Sequence, residues 1–199
     1  MLQTVKKTST VVLFLAFLFI VQSAFAQGLC KDLFFEPAAK LSKPIGPEFF
    51  VGKRVNLKNL FFTYKILPRA ADKSKSGAIY VWYRKNKKYH KIGKITFGTS
   101  LWCATRPSAV DFITLNDDFQ GKGLGSMLYT LAAKLNYNAY KETFTASSDQ
   151  RSSAAVNAWE RLYANGLADD NQAFYIDVLN GKYLDPLMKF FNSQSEEIK

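Results

Sequence analysis

The stretch VDFITLNDDFQGKGLGSMLYTLAAKL, residues 110–135, changes its period in the middle. Val110 to Leu115 is a short run rich in apolar and β-branched residues, the composition of a strand. From Leu124 the apolar residues Leu124, Met127, Leu128, Leu131, Ala132 and Leu135 recur at helical spacing. That spacing predicts an amphipathic helix over roughly 123–140 with one buried stripe. Between the two lies a glycine-rich loop that joins strand to helix directly. A helix start exposes unpaired N–H groups and the positive end of the macrodipole, and glycines let an anion approach the backbone closely.

Working outward, Phe144 to Ser147 suggests a short strand and Ser152 to Tyr163 a second amphipathic helix, stopped by Asn165-Gly166. Ala173 to Leu179 (AFYIDVL) reads as a further strand, Asn180-Gly181 as a turn, and the tail after Asn192 as polar and frayed. Upstream, Leu57 to Leu67 suggests a first strand. Gly77 to Tyr83 and Tyr89 to Thr99 form a hairpin across the polar turn Arg84 to Lys88. Pro37, Pro44 and Pro47 make residues 27–50 an irregular lead-in, with a short helix near Cys30 to Phe35. The expected fold class is α/β (α+β), with a mixed, mostly antiparallel central sheet flanked by helices.

The chain has 199 residues and a formal net charge of +11. Lys6 and Lys7, the eleven apolar residues Val11 to Val21 and Ser23-Ala24-Phe25-Ala26 follow the order of a secretory signal. Residues 1–26 are therefore expected to direct export and be cleaved, with an uncleaved N-terminal membrane anchor as the alternative. Residues 27–199 then form one domain with 25 basic and 16 acidic residues, which favours anionic partners without choosing among them. Cys30 and Cys103 are candidates for a disulfide in an exported protein, against two buried thiols. Neither has a Cys or His at metal-ligand spacing, so no metal site is expected. The single histidine, His90, lies among lysines and reads as a solvated surface residue.

Three phosphate-binding patterns compete for the loop. A Walker A loop requires Gly-Lys-Ser/Thr, which does not occur here. A dinucleotide fingerprint starting at Gly121 and Gly123 requires a third glycine where Ser126 stands. Gln120, Gly123 and Gly125 do spell Q/R-x-x-G-x-G/A, and with the preceding strand, Phe119 and the long helix the segment resembles the acyl-CoA signature of the GNAT superfamily of N-acetyltransferases. The resemblance is specific over 110–135 and holds in outline over most of the chain.

What the resemblance implies is an acyl-CoA-dependent N-acetyltransferase with acetyl-CoA as co-substrate and a small-molecule or protein amine as acceptor. The backbone of Gln120, Gly121, Lys122, Gly123, Leu124, Gly125 and Ser126 would bind the CoA pyrophosphate. A splayed strand, with Ile113 and Leu115, would pair with the pantetheine arm, and Asn157 or Ser153 would contact the CoA chain. Acetyl transfer needs a neutral amine and a protonated leaving thiolate. Asp111, with Glu142 second, is the candidate base, and Tyr163 the candidate acid. A second alignment puts Trp159 in the acid's place and Ser152 where a CoA-contacting asparagine would stand, and the sequence leaves the two open. Asp117 and Asp118 read as solvated turn residues.

Export sends the protein where acetyl-CoA is scarce, so the alternative function is an exported, non-catalytic module that binds an anionic ligand through the same loop. The basic segment Arg84 to Lys94 reads as a solvated turn, or as a docking patch for an acidic acceptor or membrane. Tyr80, Trp82 and Tyr83 read as cross-strand packing, and no specific nucleic acid is expected.

Overall fold

The computed structural model describes residues 41–67, 76–99, 108–146 and 152–198. The expected signal segment, the helix near Cys30 to Phe35, and both cysteines lie outside these residues.

The sheet grows from one hairpin. Strands β2 (Ser76–Lys85) and β3 (Lys88–Thr99) meet at Asn86 and Lys87, both at positive φ (51° and 64°), the geometry of a two-residue turn that matches strand twist. β1 (Leu60–Ile66) pairs antiparallel with β2, and β4 (Ser108–Leu115) pairs antiparallel with β3. β5 (Phe144–Thr145) joins β4 in parallel, and β6 (Ser195–Glu197) joins β1 in parallel. The order is β5-β4-β3-β2-β1-β6, a mixed six-stranded sheet with helices, of the α/β class.

Between β4 and β5 runs helix α2 (Leu124–Tyr140), laid across one face of the sheet. Leu60, Phe62, Ile79, Val81, Ile95, Phe97 and Val110 of that face are all buried beneath it. The sequence predicts one buried stripe on α2, but nearly every residue from Leu124 to Asn136 is buried. Among the described residues, helices α1 (Pro47–Val51), α3 (Ser153–Ala164), α4 (Ile176–Asn180) and α5 (Asp185–Ser193) cover its outer side. Several of its polar side chains find backbone acceptors. Thr130 Oγ1 donates to Ser126 O at 2.9 Å, and Lys134 Nζ donates to Leu179 O at the end of α4. Burial lowers the Lys134 pKa below the ordinary lysine value.

Two expectations fail at the C-terminal end. Ala173 to Leu179 is not a strand: Ala173 and Phe174 make only isolated bridges, and Ile176–Asn180 is helix α4. Val178 and Leu179 are both fully buried within that helix. The tail after Asn192 is not frayed throughout. β6 forms there because the edge of β1 offers backbone partners whatever the side chains are, with Phe62 N–H donating to Gln194 O at 2.8 Å and Ile198 N–H to Tyr64 O at 2.7 Å.

Trp159 ties these layers together. It is 1% exposed, with Tyr129 of α2 at 5.1 Å and Phe174 at 5.4 Å between ring centroids. Trp159→Ala is expected to cost about 3–5 kcal/mol in urea unfolding, as for other fully buried aromatics. A loss under about 1 kcal/mol contradicts this packing.

Candidate functional site at the start of helix α2

β4 is paired on both sides only at its beginning. Its contact with β5 is limited to Ser108 opposite Phe144 and Ala109 opposite Thr145, so among the described residues its outer edge is unpaired from Val110 onward. The register against β3 slips at the same place: Phe97 faces Val110 and Thr96 faces Phe112, leaving Asp111 as the extra residue of a bulge. Asn116 N–H donates to Ile92 O at 2.8 Å, which makes Gly93–Leu115 a non-hydrogen-bonded pair. Antiparallel alternation then turns the backbone groups of Leu115 and Ile113 away from β3, toward the open edge. The Leu115 carbonyl is already used, accepting from Gln120 Nε2 at 2.9 Å.

That same Gln120 amide reaches Asp117 Oδ1 at 2.8 Å, so its side chain fastens the loop to the end of the strand. Phe119, in a 3₁₀ turn at Asp117–Phe119, packs on Tyr83 at 5.1 Å, and Lys122 Nζ lies 5.6 Å from the Phe119 ring. Gly121 and Gly123 then take positive φ (68° and 87°) and bring the chain into α2 with no side-chain cap. The first helical bond comes from Met127 N–H to Gly123 O. Among the described residues, the N–H groups of Gly121 and of Gly123 to Ser126 have no backbone or side-chain acceptor, while Lys122 N–H closes a weak turn back onto residues 117–119. Those that open α2 lie at the positive end of a buried 17-residue helix.

The glycines have different reasons. A Cβ on Gly123 would stand 2.0 Å from the Phe50 carbonyl oxygen of α1, so packing alone requires glycine there. A Cβ on Gly125 would meet nothing within 4 Å. A glycine at the second helical position costs about 1 kcal/mol against alanine, and nothing in the protein demands it. Open space before unbonded amides is what an approaching anion needs.

Beside the loop is a pocket of about 120 Å³ between α1, the start of α2 and the end of α3, with Arg54 and Arg161 in its lining. Arg54 donates to Gly121 O at 3.4 Å. Neither arginine is among the binding residues expected from the sequence. Arg161 stands one helical turn after Asn157, so its side of α3 was accessible to helical spacing, whereas only the fold brings Arg54 to Gly121.

The remaining candidates scatter. Asp111 is exposed at the bulge, and partial burial of its carboxyl raises its pKa above the ordinary carboxylate value. Asn157 is exposed one turn before Arg161. Ser152 caps α3 by accepting from Ala155 N–H at 3.3 Å, and Ser153 opens that helix. Tyr163 is 55% exposed and does not line the pocket, standing about 200° around the helix from Arg161. Trp159 is a core side chain. Glu142 follows the far end of α2, about 25 Å of helix from Gly123. Among the described residues no three His, Cys, Asp or Glu side chains gather as metal ligands. No protein-family profile matches the chain, and no curated protein sequence matches it.

Two substitutions separate the glycines. Gly123→Ala should destabilise by roughly 2–5 kcal/mol, from the left-handed backbone and the clash with Phe50, while Gly125→Ala should be neutral or stabilising by up to about 1 kcal/mol. Equal effects in chemical denaturation contradict this assignment. For Asp111, a raised folded-state pKa means that folding favours the protonated form. Stability from this group is present below the unfolded carboxylate pKa and is lost as pH rises through the folded one. Asp111→Asn should therefore raise the melting temperature near neutral pH, and the gain should vanish in acid. A gain equal at both pH values rules this out.

Proposed function

We propose that the chain is an acyl-CoA-dependent N-acetyltransferase of the GNAT type, transferring an acetyl group from acetyl-CoA to an amine. The observation that carries this reading is the set of amides without protein acceptors, Gly121 and Gly123 to Ser126, placed at the end of a strand whose outer edge is, among the described residues, open from Val110 onward. A pyrophosphate takes the amides, Arg54 and Arg161 add charge beside it, and the pantetheine amides pair with Ile113 and the Leu115 N–H. The thioester then lies toward Asp111, where the pairing of β4 with β5 ends. The amine nitrogen attacks the thioester carbonyl, Asp111 accepts the ammonium proton, and the C–S bond breaks to release CoA thiolate, which takes a proton from solvent. A carboxyl with a raised pKa is a stronger base than an ordinary one.

A second reading is favoured by the surroundings of the two candidate acids. Tyr163 is 55% exposed and outside the arginine pocket, and Trp159 is a core side chain with no acidic proton for a leaving sulfur. This suits a non-catalytic module that holds an anionic ligand in the same cradle, consistent with an export signal.

Acetyl-CoA should raise the melting temperature of the protein, and Arg54→Ala or Arg161→Ala should weaken its binding about five- to tenfold. Release of free thiol in the presence of an amine panel then separates the enzyme from the binding module. Absence of any acetyl-CoA shift overturns both the cofactor and the enzyme.

A further inference from the structure

The positive charge of this chain is unevenly placed. The β2–β3 hairpin carries Arg84, Lys85, Lys87, Lys88, Lys91 and Lys94 and no acidic residue. Helix α2 takes only one face of the sheet. On the other face the register aligns Phe61 with Trp82, Tyr80 with Lys94, and Thr96 with Phe112. None of the rings of Phe61, Tyr80, Trp82 or Phe112 joins the hydrophobic core, and Phe112 is 50% exposed.

These rings are combined with the cations. Lys91 Nζ sits 4.6 Å from the centre of the Tyr80 ring, and Lys94 Nζ 5.1 Å from that of Phe112. Tyr89, 52% exposed and paired with Arg84, packs on Phe61 at 5.5 Å. The Trp82 indole N–H donates to Thr63 Oγ1 at 3.0 Å, which lays the indole down on the sheet. The result is a broad surface with ammonium groups over half-buried aromatic rings, edged by the basic hairpin tip.

We propose that this sheet face and the hairpin beside it form a docking surface for an anionic lipid bilayer. Lysine and arginine meet lipid phosphates, and aromatic rings with a polar rim settle at headgroup depth. A single-stranded nucleic acid fits less well, because base stacking needs free ring faces. Here Lys91 covers Tyr80, Lys94 covers Phe112, and Tyr89 packs on Phe61. The inference does not depend on acyl transfer.

The test is co-sedimentation of the full chain with phosphatidylcholine vesicles and with vesicles that also contain phosphatidylglycerol, at low and physiological salt. The apolar N-terminal run is common to every sample, so the neutral vesicles set the baseline. Binding should be stronger to the anionic vesicles and weaken with salt. Arg84→Gln and Lys91→Gln should each lower the anionic excess about fivefold while leaving the melting temperature unchanged. Equal binding to both vesicle types, or variants that bind as the parent does, overturns the proposal. Charge-dependent binding to a single-stranded oligonucleotide without vesicle binding overturns it too, and assigns the face to nucleic acid.

Discussion

A backbone N–H group needs an acceptor, and for Gly121 and for Gly123 to Ser126 the described protein provides none. The surrounding structure explains why the deficit persists. Gly123 is fixed by the Phe50 carbonyl, Gln120 ties the loop to Leu115, and α2 is enclosed by sheet and helices, so the loop cannot turn its donors inward to find partners. The axis of a long buried helix ends at the same place, and its dipole adds to the donors. An anion satisfies both at once.

Among the described residues β5 is two residues long, which leaves the outer edge of β4 open from Val110. Two residues pair with β4 before Phe144–Thr145 gives way to a segment bonded elsewhere, with Ala146 N–H donating to Gln172 O. The bulge at Asp111 comes just past that point, so the strand loses its outer partner and shifts its inner register within two residues. A carboxyl is thereby set at the beginning of this strand edge, and the glycine loop at its end. Distance along one strand thus orders the site.

The sequence made some of this legible and hid the rest, for physical reasons. The strand–glycine–helix segment was readable because its period changes from two to 3.6 within ten residues, and the hairpin because polar turn residues separate two aromatic strands. α2 misled in degree: its apolar stripe was visible, but Tyr129, Thr130 and Lys134 give no sign of burial until α3, α4 and α5 cover them. Residues 173–179 misled in kind, since AFYIDVL has strand composition while Val178 and Leu179 are buried within a helix. In the site, the glycines were legible and the arginines were not. Arg54 reaches Gly121 across 67 positions, a proximity created only by α1 packing on the start of α2.

The central claim is that the amides from Gly121 to Ser126 hold the pyrophosphate of CoA, with the free edge of β4 beside it. Backbone ¹H–¹⁵N chemical shifts during titration with CoA test it most directly. The account predicts large shifts at Gly121 through Ser126, accompanied by Ile113 and Leu115, and little change at the far end of α2 near Tyr140. Saturable shifts centred elsewhere, with the glycine loop unmoved, contradict it.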